Sequence, residues 1–293
     1  MKKIIILLTL IVFISSAFAQ EEVTETTPVT KPQEKVVNKK GQNILPEAGD
    51  LAVGIDMVPF LNYLGNFANN SVNNSYNGNF LATPNTLFAK YFLNQDLAVR
   101  GRVMIMSNNF QNKQYVVDDA AIYNDPNSND RVVDVMQTVS HDYMIGAGIE
   151  KRRGKGRLRG FFAGEINLMF GADKTMYTYG NNYSELNQDP TVFNFGANDL
   201  GVDRLVENND GTYFGVGLGA YLGVEYFIMP NICLGSEVGW QINYTENTQE
   251  TSIIETWNGN EAEEITILNS PGNANFNYGF NNQTASLYIM FHF

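Results

Sequence analysis

Residues 213–228 read YFGVGLGAYLGVEYFI. Phe214, Val216, Leu218, Ala220, Leu222, Val224, Tyr226 and Ile228 take alternate positions; Tyr213, Gly215, Gly217, Gly219, Tyr221, Gly223, Glu225 and Phe227 take the others. Successive side chains of a strand point to opposite faces, so this segment has one apolar wall and one wall of Gly, Tyr and Glu. A helix, repeating every 3.6 residues, would mix the two sets.

The next segment repeats the scheme. Ile232, Leu234, Val238, Trp240, Ile242 and Tyr244 share a face opposite Cys233, Gly235, Glu237, Gly239, Gln241 and Asn243. Only Met229-Pro230-Asn231 separates the two segments, which makes a tight hairpin with Pro outside the ladder. Six further strands of this kind are expected over about 50–60, 86–93, 97–107, 133–150, 158–170 and 284–293. Their connections alternate in length: 94–96, 151–157 and 229–231 are short, and 62–85, 108–132, 171–212 and 246–283 are long. Three short and four long connections require eight strands. The pattern predicts an all-β fold, a transmembrane antiparallel up-and-down β-barrel of about eight strands with short periplasmic turns and long extracellular loops. A soluble β-sandwich is the rival, but its outer face should carry Lys, Glu and Ser where this sequence has Gly, Tyr and isolated charges. In the last loop, Thr251–Trp257 and Glu264–Leu268 have the character of a hairpin above the membrane; if it entered the wall, the count would be ten.

The N-terminus has the pattern of an export signal over 1–19. Lys2 and Lys3 precede an apolar stretch from Ile4 to Ile14, and Ala17-Phe18-Ala19 supplies a small-x-small cleavage site. No Cys follows that site, so a lipid-anchored form is not expected. Residues 20–48 are rich in Thr, Glu, Lys, Val and Pro without aromatics, and read as a flexible periplasmic linker; the barrel takes 49–293. After the signal, no segment approaches the roughly 20 apolar residues of a membrane helix. The mean hydropathy of -0.21 fits a soluble protein and an alternating barrel equally well. The net charge of -12 argues against nucleic-acid partners, whose phosphates call for a basic surface. Cys233 is the single cysteine, which excludes an internal disulfide and a cysteine-rich metal site.

The last strand ends Leu287-Tyr288-Ile289-Met290-Phe291-His292-Phe293. A terminal Phe with apolar or aromatic residues at alternate positions before it resembles the signal read by the outer-membrane barrel-assembly machinery, with Tyr288, Phe291 and Phe293 as its carriers. Together with the export signal and the short and long connections, it makes the mature chain similar to the small eight-stranded outer-membrane barrels of the OmpA/OmpX/OmpW-like group. The resemblance is architectural. It implies a Gram-negative outer membrane, contact with outer-membrane lipid and with the assembly machinery, and both termini in the periplasm. OmpA-type chains continue into a peptidoglycan-binding domain; this sequence stops at the last strand, so anchoring by that domain is not expected.

Assigning the apolar face to lipid turns Asp56, Lys90, Arg100, Arg102, Asp142, Glu150, Arg159, Glu165, Glu225 and Glu237 into the lumen. An eight-stranded barrel is just wide enough for its own side chains, and charges removed from water need partners. A paired, plugging interior is therefore expected, with a gated ion pathway as the alternative. Four basic against six acidic groups implies that some carboxylates are protonated, wet or near the rim. The enzymes on small barrels that the resemblance brings in, lipid A acylases and deacylases and omptin-like proteases, use a His with Ser or Asp partners. This chain has His141 and His292. His292 falls at the periplasmic end, and Ser140-His141-Asp142 cannot form a relay alone because consecutive strand residues alternate faces. The acidic Asn-rich loops lack the spacing of a calcium loop. No catalytic residue, metal or cofactor is expected. The reading is a non-enzymatic barrel whose loops give it a structural, adhesive or complex-accessory role with an envelope protein; a small porin for ions or polar solutes is the alternative, and a barrel enzyme acting on lipid A or peptides the weaker one.

Overall fold

The computed structural model describes residues 35–57, 85–280 and 285–293. The expected signal, residues 20–34, residues 58–60 of the expected first strand, the first long loop up to residue 84, residues 281–283 of the last loop and the first residue of the expected last strand lie outside them. Twelve strands form one antiparallel sheet among the described residues. They are β1 (Leu51–Asp56), β2 (Asn85–Asn94), β3 (Leu97–Val117), β4 (Arg131–Lys155), β5 (Leu158–Thr178), β6 (Asp199–Leu200), β7 (Asp203–Met229), β8 (Ile232–Asn247), β9 (Glu250–Trp257), β10 (Ala262–Ser270), β11 (Ala274–Gly279) and β12 (Ala285–His292).

Eight of them close a ring. Neighbours pair in the order β1–β2–β3–β4–β5–β7–β8–β12, and β12 returns to β1 through Ala52↔His292 to Asp56↔Tyr288. Reciprocal backbone bonds between Leu51 and Phe293 (3.0 and 2.9 Å) seal that seam at its end. Closure removes the free edges that an open sheet would present. The hairpin β9–β10 is fastened by β9 to the far end of β7 (Arg204↔Glu255 to Asn209↔Thr251) and stays outside the ring. β11 continues along β8 where β12 leaves off.

The wall is inside out relative to a soluble domain. Leu222, Val224, Phe214, Ile149, Ile145 and Leu87 are among the large apolar side chains that stay about half exposed or more on the outer face. Glycines on the inner face of β7 and β8 make room for large side chains. A Cβ added at Gly235 would meet the Tyr288 ring, and one at Gly223 the Phe161 ring.

Three sequence expectations need correction. First, four strands run well past their expected ends: β3 has 21 residues, β4 25, β5 21 and β7 27, against about 9–11 for one membrane crossing. Residues 108–117 carry Asn, Gln and Lys on both faces, so the alternation stops while the backbone ladder continues, Asn108↔Ser140 to Val117↔Arg131. Second, the basic turn at 151–157 shrinks to Gly156 and Arg157, because β4 and β5 pair down to Lys155↔Leu158. Gly156 takes φ 64°, the left-handed conformation that a two-residue hairpin turn requires. Third, part of the expected linker is folded. Residues 36–44 make a small loop closed by Ile44 N–H donating to Val36 O (2.8 Å). Ile44 and Leu45 are then buried against Ala52, Phe92, Ala98, Phe227 and Met290 at the end of the barrel that holds the short turns.

Candidate functional site: the lumen and the head

Above the apolar layer around Ile44, the lumen is filled by charge. Lys90, Arg100, Arg102, Arg152, Glu150, Glu165, Glu225 and Glu237 are each no more than 4% exposed. Glu237 bridges Arg100 (2.8 Å) and Arg102 (2.5 Å). Glu165 also meets both arginines, Arg102 at 3.3 Å and Arg100 more closely. Glu150 links Arg100 (3.2 Å) to Lys90 (2.6 Å) and Arg152 (3.4 Å). Glu225 completes the chain through Lys90 (2.6 Å), Arg152 and the Tyr288 hydroxyl, which donates to it at 2.9 Å.

Aromatic rings fill what the charges leave. The Arg102 guanidinium lies 4.5 Å from the Tyr221 ring centre, Lys90 Nζ 4.5 Å from Phe161, and Arg152 4.8 Å from Phe92. Contacts of this kind between a cation and a ring face are favourable once water is excluded. Gln241 Nε2 donates to the Tyr221 hydroxyl (2.6 Å) and fixes that ring across the lumen.

Of the residues singled out from sequence, seven meet in this region and three stand apart. Arg159 is buried near the β4–β5 turn and donates to Gly154 O (2.8 Å). Asp142 is half-buried higher up and accepts from the Tyr213 hydroxyl (2.7 Å). Asp56 is half-buried at the upper end of β1. Arg152 was missed because it was counted into the turn; two residues after Glu150 on a continuing strand, it shares that residue's face. With Arg152 in, and Arg159 and the two aspartates outside this cluster, four cations tie to four carboxylates, and the cluster carries no acid excess. Tyr288, grouped from sequence with Phe291 and Phe293, lies on the opposite face from them. It is fully buried in the lumen, while Phe291 and Phe293 are exposed on the outside.

At the other end, the described parts of the second, third and fourth long connections fold into a head. The Asp134 carboxylate is fully buried and accepts backbone N–H bonds from Gly180 and Phe193, both at 2.8 Å. Arg204 is buried as well: it pairs with Glu255 (2.8 Å), donates to Asn181 O (2.7 Å) and lies against the Tyr179 and Tyr183 rings at 4.4 and 4.6 Å. Tyr179 donates to Leu205 O (2.5 Å), and burial holds its hydroxyl well above the usual tyrosine range. The loop acids also serve this fold. Asp118 caps the one-turn helix α1 (Asp119–Asn124), and Asp119 accepts from Asn187 Nδ2 and Thr191 N at 2.8 and 2.7 Å. Neither Asp134 nor Arg204 was singled out from sequence, since nothing periodic marks them. Among the described residues, no group of three His, Cys, Asp or Glu side chains is placed to hold a metal.

His141 finds a partner that the sequence did not suggest. Its Nδ1 lies 2.8 Å from Ser107 Oγ across the β3–β4 ladder, and its ring stacks on Tyr143 (6.2 Å). Asp142 turns to the opposite face, so the Ser–His pair gains no carboxylate from it. Cys233 is buried in the apolar layer with Ile44, Phe92 and Met290.

No protein-family model matches this chain, and no curated protein sequence matches it. Among solved structures, it is similar to a major outer membrane protein from Thermus thermophilus, at 10% identity and a TM-score of 0.36, over 83% of this chain and 98% of that one. It is also similar to the outer membrane protein OprG from Pseudomonas aeruginosa, at 10% identity and a TM-score of 0.30, over 85% of this chain and 98% of that one.

Proposed function

We propose that this chain is an outer-membrane barrel with a closed lumen, and that its work is done by the folded head. A ring of exposed apolar side chains around a closed barrel suits lipid and would aggregate in water. In this reading the short turns and both ends of the mature chain face the periplasm, and the head faces outwards. The exposed Phe291 and Phe293 on the final strand serve recognition by the assembly machinery.

The observation that carries the proposal is the ion-paired, solvent-excluded lumen. Eight charged side chains at 4% exposure or less, each bonded to opposite charge, fill the space that a pore would need. The barrel then acts as a rigid pedestal, and the role is structural, adhesive or accessory to an envelope protein. In this reading the barrel is non-enzymatic, and the Ser107–His141 pair is a cross-strand contact of the β3–β4 ladder.

The test is single-channel conductance of the refolded mature protein in a planar bilayer. A silent bilayer containing folded protein is the expected result. Steady openings whose size changes in Arg102→Gln or Glu225→Gln would overturn the closed-lumen reading in favour of a small porin lined by these groups.

A further inference from the structure

One stretch of the outer wall departs from the apolar pattern. Below the exposed Ile149, the outward face of β4 carries Lys151, Arg153 and Lys155, all exposed. They sit at alternate strand positions and so follow one another at about 7 Å intervals along one face. None of the three has an ion pair among the described residues, although the lumen-facing Arg152 between them pairs with Glu150 and Glu225.

The sheet register carries this basic line into a groove. Arg153 is level with Gly160 on β5, Gly160 with Val224 on β7, and Val224 with Ser236 on β8. The row above runs Lys151, Phe162, Leu222, Val238, and the row below runs Lys155, Leu158, Tyr226, Leu234. The middle row therefore has small residues at two of its positions between rows of large ones. The result is an open, mostly apolar groove of about 550 Å³, within the range of about 300–1,000 Å³ typical of ligand sites. Its floor is Gly160, Gly223 and Ser236, its sides are Leu222, Val224 and Val238, and Arg153 stands at its β4 end. Tyr226, Leu158 and Phe293, exposed at this same end of the wall, have the character of an interfacial belt.

We propose that this wall holds one anionic glycerophospholipid of the periplasmic leaflet, its phosphate at Lys151, Arg153 and Lys155 and an acyl chain in the groove. The proposal rests on the membrane reading above and on its orientation. Charge complementarity selects the occupant: three unpaired cations beside the headgroup level attract an anionic lipid over a zwitterionic one. The groove supplies the apolar half of the same molecule, one row away. A soluble anion would use only the cations, and a plain annular lipid only the groove.

Native mass spectrometry of the full mature chain in detergent, with phosphatidylglycerol or phosphatidylcholine added, tests the site. The heat-dependent gel shift of a closed barrel reports folding in every sample. Wild type is expected to retain phosphatidylglycerol several-fold over phosphatidylcholine. The triple variant Lys151→Gln, Arg153→Gln, Lys155→Gln should lose the preference while staying folded. Filling the groove with Gly160→Leu and Ser236→Leu should release lipid although all three cations remain. At Gly160 an added Cβ meets nothing closer than Arg153 O at 3.6 Å, so the wall accepts it. Equal retention of the two lipids by folded wild type, or an unchanged preference in the triple variant, overturns the proposal alone. A mature chain that fails to float with phosphatidylcholine vesicles overturns the membrane reading, and this one with it.

Discussion

Replacing Glu225 by Gln removes one charge from the lumen with almost no change of shape. Glu225 meets Lys90 Nζ at 2.6 Å, Arg152 Nη2 and the Tyr288 hydroxyl at 2.9 Å, and is 1% exposed. After the change, Lys90 and Arg152 keep only Glu150, at 2.6 and 3.4 Å, and four cations face three carboxylates. Breaking a buried pair by removing one partner costs about 3–5 kcal/mol. Here two cations share the loss and both retain a second carboxylate, so the lower end, about 3 kcal/mol, is expected. At about 1.4 kcal/mol per tenfold, that lowers the folding equilibrium constant by about two decades. Urea titration of the protein in phospholipid vesicles, read by the gel shift of the closed barrel, measures it. The double variant Glu225→Gln, Arg152→Met returns the lumen to three against three, and should recover at least about 1 kcal/mol of the loss if the charges are coupled as drawn. A Glu225→Gln protein within about 0.5 kcal/mol of wild type, the scatter of an indifferent site, would refute the reasoning. The lumen would then hold enough water to solvate an unpaired cation.

Gly239→Ala should destabilise the barrel by about 1–3 kcal/mol through overpacking, because its Cβ would meet the Tyr221 ring and lie 3.1 Å from Ala220 O. Gly164→Ala, on the outer face with nothing within 4 Å, is the neutral control in the same urea titration. Ile44→Ala, at a side chain 1% exposed, should lower stability by about 2–4 kcal/mol; an unchanged midpoint would detach the N-terminal segment from the barrel. In the head, burial raises the Tyr179 hydroxyl, so the folded state keeps its proton where the unfolded chain, near pH 10, has lost it. That contribution is complete below about pH 10 and is lost as pH rises above it. Trp257 fluorescence, in a Trp240→Phe background, should show the head weakening with rising pH there, and Tyr179→Phe should flatten the slope.

What could be read from sequence was set by which strand faces the closed barrel turns inwards and outwards. In β7 and β8 the apolar face turns outwards and the other lines the lumen, so hydropathy alternates and the strands are plain. From Asn108 to Gln114 both faces of β3 are polar apart from Phe110, and the pairing with β4 continues with no alternation of hydropathy to mark it. The lumen charges followed from alternation alone, because strand faces repeat strictly every second residue. Arg152 was lost for the same reason: the run of Lys and Arg from 151 to 157 looks like a turn, and ending the strand at Glu150 discarded the parity that assigns Arg152 inwards. Asp134 and Arg204 depend on partners that sequence spacing does not reveal. Asp134 is satisfied by backbone at Gly180 and Phe193, and Arg204 by Glu255 and Asn181.

The ring and the head also differ in what they require of the chain, and this bears on the proposed role. A plug that only seals a membrane barrel needs strands of about 9–11 residues and tight connections at both ends. Here β7 has 27 residues, and its first part pairs with β9 and β5 rather than with the ring strand β8. That extra length brings Arg204 to Glu255 and to the Tyr179 and Tyr183 rings, a buried arrangement with no part in closing the barrel. Burying a charge costs several kcal/mol unless its partners are well placed, and Asp134 and Arg204 are held by partners from separate segments of the chain. A head built on Asp134 and Arg204 therefore presents a defined surface. The hairpin β9–β10 extends that surface, with Ile265, Ile267 and Leu268 exposed beside Glu263 and Glu264. Removing β9–β10 should accordingly leave the eight-strand ring and its gel shift intact while taking away the side of the head that Glu255 holds to Arg204; loss of the barrel itself on that deletion would mean that head and ring fold as one unit, and that the pedestal reading has the dependence backwards.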